Sequence, residues 1–367
     1  MDSGSRGFDP NSSYSDIGCS KLGGIARAVG FTEEAIGRIL GDFSEMLDGW
    51  GDLPVGDEPR YPSDVANDGM PIEFSIAWSP TGIKLRALVE PLGSGEPTKA
   101  SVARSSANLV RRLAKRHSAF IDKYLEIEDL FVSESPVSHF SVWHSVEWGP
   151  SGDAMFKLYL NPGVHGESRS PEILRQALQR LGMEESWNLL AEKFHNFSDP
   201  RDYPIILSID LVDSAASRVK IYFRHAGMTA SEIDPLGSLG EGYKTGAIRD
   251  ICTYVVGDEG PYSKAPITCL TFRGDSAAVR GVTFYCPLAP NLPNDEIISG
   301  RLADFADPGL IDPQVYARVL DAASHVPLDQ SAAQSWISVK NFDDPTMTLY
   351  VGPEIYSMTT KAQNSYL

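Results

Sequence analysis

The sequence predicts an α+β fold in which ten antiparallel strands close into a barrel around a central chamber, ringed by helices. Three observations predict it. First, Ser217-Arg218-Val219-Lys220-Ile221-Tyr222-Phe223-Arg224 alternates between apolar and basic or phenolic residues, the period of a strand with two different faces. Second, the pattern recurs. Met155-Phe156-Lys157-Leu158-Tyr159-Leu160-Asn161-Pro162, Thr346-Met347-Thr348-Leu349-Tyr350-Val351-Gly352-Pro353 and Lys84-Leu85-Arg86-Ala87-Leu88-Val89-Glu90-Pro91 repeat it, and Arg280-Gly281-Val282-Thr283-Phe284-Tyr285-Cys286-Pro287 repeats it more loosely. Their key positions 86, 157, 220, 282 and 348 lie 71, 63, 62 and 66 residues apart, the mark of a five-fold internal repeat. Third, each repeated strand follows another strand across a short turn, which makes antiparallel hairpins.

The elements follow in order. Residues 1–18, rich in Ser, Gly and Asp at their start, read as a disordered tail, residues 19–357 as one domain and residues 358–367 as a second tail. Helical patterns cover 21–28 and 32–48, with Thr32 as N-cap, before a hairpin of 70–78 and 84–90. Helices over 99–116 and 118–127 precede strands 138–148 and 153–160. Helices 170–181, with Pro171 in the first turn, and 184–197 precede strands 203–211 and 218–224. Helices near 229–234 and over 241–256 precede strands 266–273 and 279–286. Helices 294–305 and 312–324 precede strands 334–341 and 346–351. The unit is helix, helix, strand, strand. The helices need an apolar surface to cover, which the apolar strand face supplies; the polar face then lines the lumen. About eight strands fill a barrel with side chains, so ten leave room for a ligand.

Composition narrows the function. A net charge of −17 argues against nucleic acid or an anionic membrane as the main partner. No apolar run is long enough for a transmembrane helix and the start lacks the apolar core of a signal peptide. Cys19, Cys252, Cys269 and Cys286 form no CxxC, so they read as reduced thiols of a cytoplasmic protein, a monomer or homodimer. Gly237-Ser-Leu-Gly240-Glu-Gly242 has the wrong spacing for a dinucleotide fingerprint, and Lys244-Thr245 lacks the glycine of a P-loop. Asp343-Asp344 lacks the third aspartate of a DDxxD metal motif, and no G-x-S-x-G elbow occurs.

Inward candidates on the repeated strands are Lys84, Arg86, Lys157, Arg218, Lys220, Arg224 and Arg280. Singly, each reads as a solvated strand residue. Together, in an acidic protein, they read as an anion site, and a diphosphate suits so many cations. Beside them stand Tyr159, Tyr222, Phe284 or Tyr285, and Tyr350. Aromatic faces stabilise cations and exclude water. A diphosphate grip beside such a cage fits ionisation of an allylic diphosphate. Rival readings are a barrel that binds an anionic ligand without chemistry, and a filled structural barrel.

The Lys-x-Tyr strands, Arg218-Val-Lys-Ile-Tyr222, and Pro71-Ile-Glu-Phe-Ser75 followed by Arg86 and Glu90-Pro91 resemble the aromatic prenyltransferases of the dimethylallyltryptophan synthase type, bacterial members more than fungal, over residues 20–357. The resemblance implies the ABBA barrel. It implies dimethylallyl diphosphate as co-substrate, no magnesium or other cofactor, and L-tryptophan as acceptor, in secondary metabolism such as alkaloid or peptide biosynthesis. Tyrosine, an indole-containing cyclic dipeptide or a phenol are alternative acceptors. Glu73 matches the acceptor of the indole N–H proton; Arg86, Lys157, Arg218 and Lys220, with Arg280 beside them, match diphosphate ligands; Tyr159, Tyr222 and Tyr350 match a carbocation shield, completed by Phe284. Two departures stand out. Val282 and Phe284 occupy places where the family has a polar residue and Tyr. His144 lies 13 residues before Lys157, where members prenylating C4 carry a lysine base; a histidine there could take a proton. Proton loss to Glu73 would direct attack through N1, which is the expected position; a benzenoid carbon needs a base elsewhere, such as His144.

Overall fold

A computed structural model describes residues 8–138, 140–213, 217–274, 278–305 and 310–356. Five helix-helix-strand-strand units follow one another. The first comprises α1 (Tyr14–Ala28), α2 (Glu33–Met46), β1 (Ile72–Ser79) and β2 (Gly82–Val89). The second has α3 (Lys99–His117), two single-turn helices α4 (Asp122–Leu125) and α5 (Glu128–Phe131), then β3 (Val142–Trp148) and β4 (Ala154–Leu160). The third is α6 (Ser170–Arg180), α7 (Glu184–Lys193), β5 (Asp202–Asp210) and β6 (Arg218–His225). The fourth is α8 (Ala230–Gly237), α9 (Ala247–Val255), β7 (Ile267–Arg273) and β8 (Gly281–Pro287). The fifth is α10 (Asp295–Phe305), α11 (Pro313–Ala323), β9 (Gln334–Lys340) and β10 (Thr346–Val351).

The ten strands form one closed antiparallel barrel in chain order, shut by β1 against β10 with Ser75 opposite Tyr350. The expected architecture is therefore observed. Most boundaries shift for local reasons. α1 takes in residues 14–18, assigned above to the tail, because Ser13 and Asp16 form a reciprocal capping box. The second tail, 358–367, lies outside the described residues. α3 ends at Ser118, a left-handed cap with φ 52°, and of the helix expected over 118–127 only the turn α4 forms. The one expected from 241 starts at Ala247, after Gly242 (φ 70°) and Gly246 (φ 92°). No helix among the described residues is long and apolar enough to cross a membrane.

Strand alternation divides the interior in two. Outward side chains such as Phe74, Leu158, Ile221, Phe223 and Leu349 pack with the helices in one large core. Inward side chains form a separate cluster of Trp143, Ile206, Tyr222, Ile267, Cys269 and Trp336, with Tyr159, Tyr285 and Tyr350 against it. Both strand faces are thus buried, and the inner one carries the clustered cations.

Candidate active site

The cations gather at one end of the lumen. On β2 and β4, Lys84 Nζ and Arg86 Nε lie 2.8 and 2.6 Å from the Glu147 carboxylate of β3, and Lys157 Nζ lies 3.0 Å from it. On the adjoining strands β5 and β6, Arg218 Nε is 2.5 Å from Asp210, which stands opposite Lys157. Lys220 and Lys340 have no ion-pair partner among the described residues. Lys84, Arg86, Lys157, Arg218, Lys220 and Lys340 set six positive charges against the two of Glu147 and Asp210.

The electrostatics follow from that crowding. Burial would raise the Glu147 carboxyl, but Arg86, Lys157 and Lys84 outweigh it and hold the group far below the usual carboxylate range. Burial, against the pull of Glu147, brings Lys157 down to about 7, and Arg86 and Lys220 push the same way. Lys340 falls to about 8 through burial and then the charges of Arg86, Lys220 and Arg218. Lys220 is lowered chiefly by burial. The cluster therefore gains from any anion that enters it.

One step along each strand stand rings. Lys157 is followed by Tyr159, Lys220 by Tyr222, Thr283 by Tyr285 and Thr348 by Tyr350. Their centroids are 5.9 Å apart for Tyr159 and Tyr222, 5.8 Å for Tyr222 and Tyr285, and 5.7 Å for Tyr285 and Tyr350. Burial raises all four phenols, so they stay neutral.

Beyond the tyrosines lies a chamber lined by Glu73, Leu88, Trp143, Ile206, Lys264 and Trp336 among others, mostly apolar walls with a few convergent polar groups, as small-molecule sites have. Glu73 accepts a hydrogen bond from Ser335 Oγ at 2.6 Å. Burial raises its carboxyl to about 7, against the effects of Ser335 and Lys264. Burial lowers Lys264 to about 7, countered by Glu73. Lys264 comes from the loop between α9 and β7, where no periodicity marks it.

The sequence-predicted residues fall into two groups. Glu73, Arg86, Lys157, Arg218, Lys220, Tyr159, Tyr222 and Tyr350 meet in the lumen. Arg224, also an inward candidate, sits toward the other end, over the ring of Tyr203 at 4.6 Å. Three residues do not meet there. His144 pairs with Leu158 on the outward face, fully buried, with Nε2 3.0 Å from the Ser106 carbonyl of α3. Burial lowers it to about 3. It packs under a helix and cannot reach a substrate in the lumen. Phe284 also faces outward, in the core with Val282. The lumen positions of that repeat are Thr283 and Tyr285, one residue along, so the ring position is filled by Tyr after all. Counted from Thr283, the repeat spacing is 71, 63, 63 and 65, more even than before. Arg280 is exposed ahead of β8. The cation of that corner is Lys340, opposite Thr283 on β9, whose alternation with Trp336 and Ser338 was visible in the sequence.

Known proteins agree with this layout. A sequence model of the family described as tryptophan dimethylallyltransferase matches residues 26–305. The structure is similar to 6-dimethylallyltryptophan synthase from Micromonospora olivasterospora in complex with DMASPP and Trp, at 25% identity, TM-score 0.86, covering 95% of this chain and 99% of that one. It is similar to the prenyltransferase PriB in ternary complex with L-tryptophan and dimethylallyl thiolodiphosphate, at 25% identity and TM-score 0.84, over 94% and 97% of the two chains. It shares the fold of 5-dimethylallyltryptophan synthase from Streptomyces coelicolor, at 24% identity and TM-score 0.85, over 95% and 97%. Cation grip, tyrosine ring and matched sequence lead to one assignment: the chain belongs to the tryptophan dimethylallyltransferase family.

Proposed function

We propose that this enzyme transfers the dimethylallyl group of dimethylallyl diphosphate to the indole of L-tryptophan, in the cytoplasm and without a metal ion. The observation that carries the reading is the row of four tyrosines between a cation grip and a chamber holding one buried carboxylate. The carbon–oxygen bond of the allylic diphosphate breaks and its electron pair leaves on the diphosphate. Arg86, Lys157, Arg218, Lys220 and Lys340 take up that charge, the work a magnesium ion would otherwise do. Tyr159, Tyr222, Tyr285 and Tyr350 flank the allyl cation and keep water from it. The indole π electrons form the new bond, and one proton leaves the ring, giving prenylated tryptophan and diphosphate.

Glu73 orients the indole by accepting its N–H. For the ring position, a benzenoid carbon, C6 first, is favoured by the 25%-identical relatives named 6-dimethylallyltryptophan synthases. The proton then leaves to the departing diphosphate or a lumen amine, since His144 is outside the lumen. Attack through N1 is the second reading, favoured by the raised basicity of Glu73, which suits it to take the N–H proton outright. NMR of the purified product decides. A substituent on C6 supports the first reading, and one on N1 replaces it with the second. No prenylated tryptophan at all would overturn both.

A further inference from the structure

The chamber beyond the tyrosines holds two charged groups for which the transfer chemistry has no use. Asp64 lines it, half-buried. Its carboxylate makes no hydrogen bond or ion pair with any described residue, and burial raises it to about 6. Lys264 lines the same chamber and is 7% exposed. Its Nζ donates to Asn67 Oδ1 at 2.8 Å and lies 4.0 Å from the centre of the Trp336 ring.

Lys264 is held from several sides. Its N–H donates to Asn291 Oδ1 at 3.1 Å, and Asn291 Nδ2 donates to its carbonyl at 3.0 Å. Asn67 is itself tied by Nδ2 to the Ala289 carbonyl at 3.2 Å. An ammonium carries three donors. One goes to Asn67 and the Trp336 face supplies a second attraction, so donor capacity is left over for a ligand. A buried charge without a counter-ion is costly. Among the described residues Lys264 has no carboxylate within ion-pair distance, Glu73 acting on it only from farther off, and Asp64 has no cation within that distance. Among the described residues the other cation lining the chamber, Arg86, is taken by Glu147. Glu73 is engaged by Ser335 Oγ at 2.6 Å. The remaining walls are mostly apolar or aromatic. The missing ligand thus carries both signs of charge on an aromatic body.

We propose that Lys264 and Asp64 together bind the head group of an amino-acid acceptor, Lys264 taking the α-carboxylate and Asp64 the α-ammonium. The proposal rests on the reading above that the acceptor is a free amino acid. It assigns selection of the acceptor to two residues outside the barrel strands, on the segment before β1 and the loop before β7. Both act by positioning the ring beside the cation.

The test compares kcat/KM for L-tryptophan, tryptamine and indole-3-propionate at saturating dimethylallyl diphosphate. In the native enzyme, L-tryptophan should exceed each analogue by about tenfold or more, since each leaves one charge of the site unpaired. Lys264→Met should cut the tryptophan-to-tryptamine ratio by about tenfold and leave the tryptophan-to-indolepropionate ratio near the native value. Asp64→Asn should do the reverse, and Lys264→Arg should restore much of the first ratio. Because these are ratios within one protein sample, a general loss of folded enzyme does not move them. If Lys264→Met does not fold, the native preferences and Asp64→Asn still decide. Native turnover of tryptophan with no preference over either analogue, or variants that slow all three acceptors alike, would overturn the clasp alone. A native enzyme that turns over none of the three would overturn the acceptor reading beneath it.

Discussion

The ring of Tyr285 stands 5.7 Å from that of Tyr350 inside the barrel, while its neighbour Phe284 is fully buried outside it. Adjacent aromatic residues therefore serve different parts of the molecule. Tyr285→Ala should open the shield and let water capture the allyl cation. Dimethylallyl alcohol should then appear alongside prenylated tryptophan, with its share rising several-fold above native. Phe284→Ala should cost about 3–5 kcal/mol of stability and leave the ratio of alcohol to prenylated product unchanged. Denaturation and product analysis separate the two, and equal hydrolysis in both variants would contradict the assignment.

Glu147 holds three cations together when no diphosphate is bound. Replacing it with glutamine leaves them facing one another, and breaking a buried ion pair from one side costs about 3 kcal/mol or more. The Tm of Glu147→Gln should fall in buffer and recover further than the native protein's on adding inorganic diphosphate. An equal diphosphate shift in both proteins would contradict a cation cluster shared between Glu147 and the ligand.

His144 is neutral in the folded protein well below the range in which a free histidine takes a proton. Its folded value of about 3 lies beneath the unfolded one of 6.5, so the unfolded chain binds the extra proton between them. Its contribution to stability is complete above about pH 6.5 and is lost as the pH falls towards 3. His144→Gln, whose amide can still donate to the Ser106 carbonyl, should flatten the acid side of the stability curve. It should leave the pH profile of kcat as it is in the native enzyme. A changed kcat profile would return His144 to the chemistry.

Glu73 titrates near neutrality because burial raises its carboxyl to about 7. Its ionised form is the better acceptor for the indole N–H, so kcat/KM should fall as the pH drops below 7. Glu73→Gln should remove that limb and lower the rate by about a hundredfold. An acid limb that survives the substitution would assign the titration to another group.

Much of this could be read from alternation alone. A strand period of two, repeated five times, gives the barrel, its inward face and most of the cation grip. The errors came where the period was ambiguous or silent. Phe284 and Tyr285 are both rings, and only strand register tells which one faces in. Distance along the chain from Lys157 points to His144, yet the hairpin sets Ser145 opposite Lys157 and turns His144 outward. Lys264 lies in a loop without periodicity, so tertiary structure alone brings it to Glu73. The reading of a barrel without chemistry gives way to the family match over residues 26–305.

One incubation tests the central claim most directly. Purified protein is mixed with L-tryptophan, dimethylallyl diphosphate and excess EDTA, and the mixture is examined by mass spectrometry. The account predicts tryptophan heavier by one dimethylallyl group, with diphosphate released in equal amount. Unchanged tryptophan in EDTA, with product restored by magnesium, would contradict the metal-free grip. No product under either condition would contradict tryptophan as the acceptor.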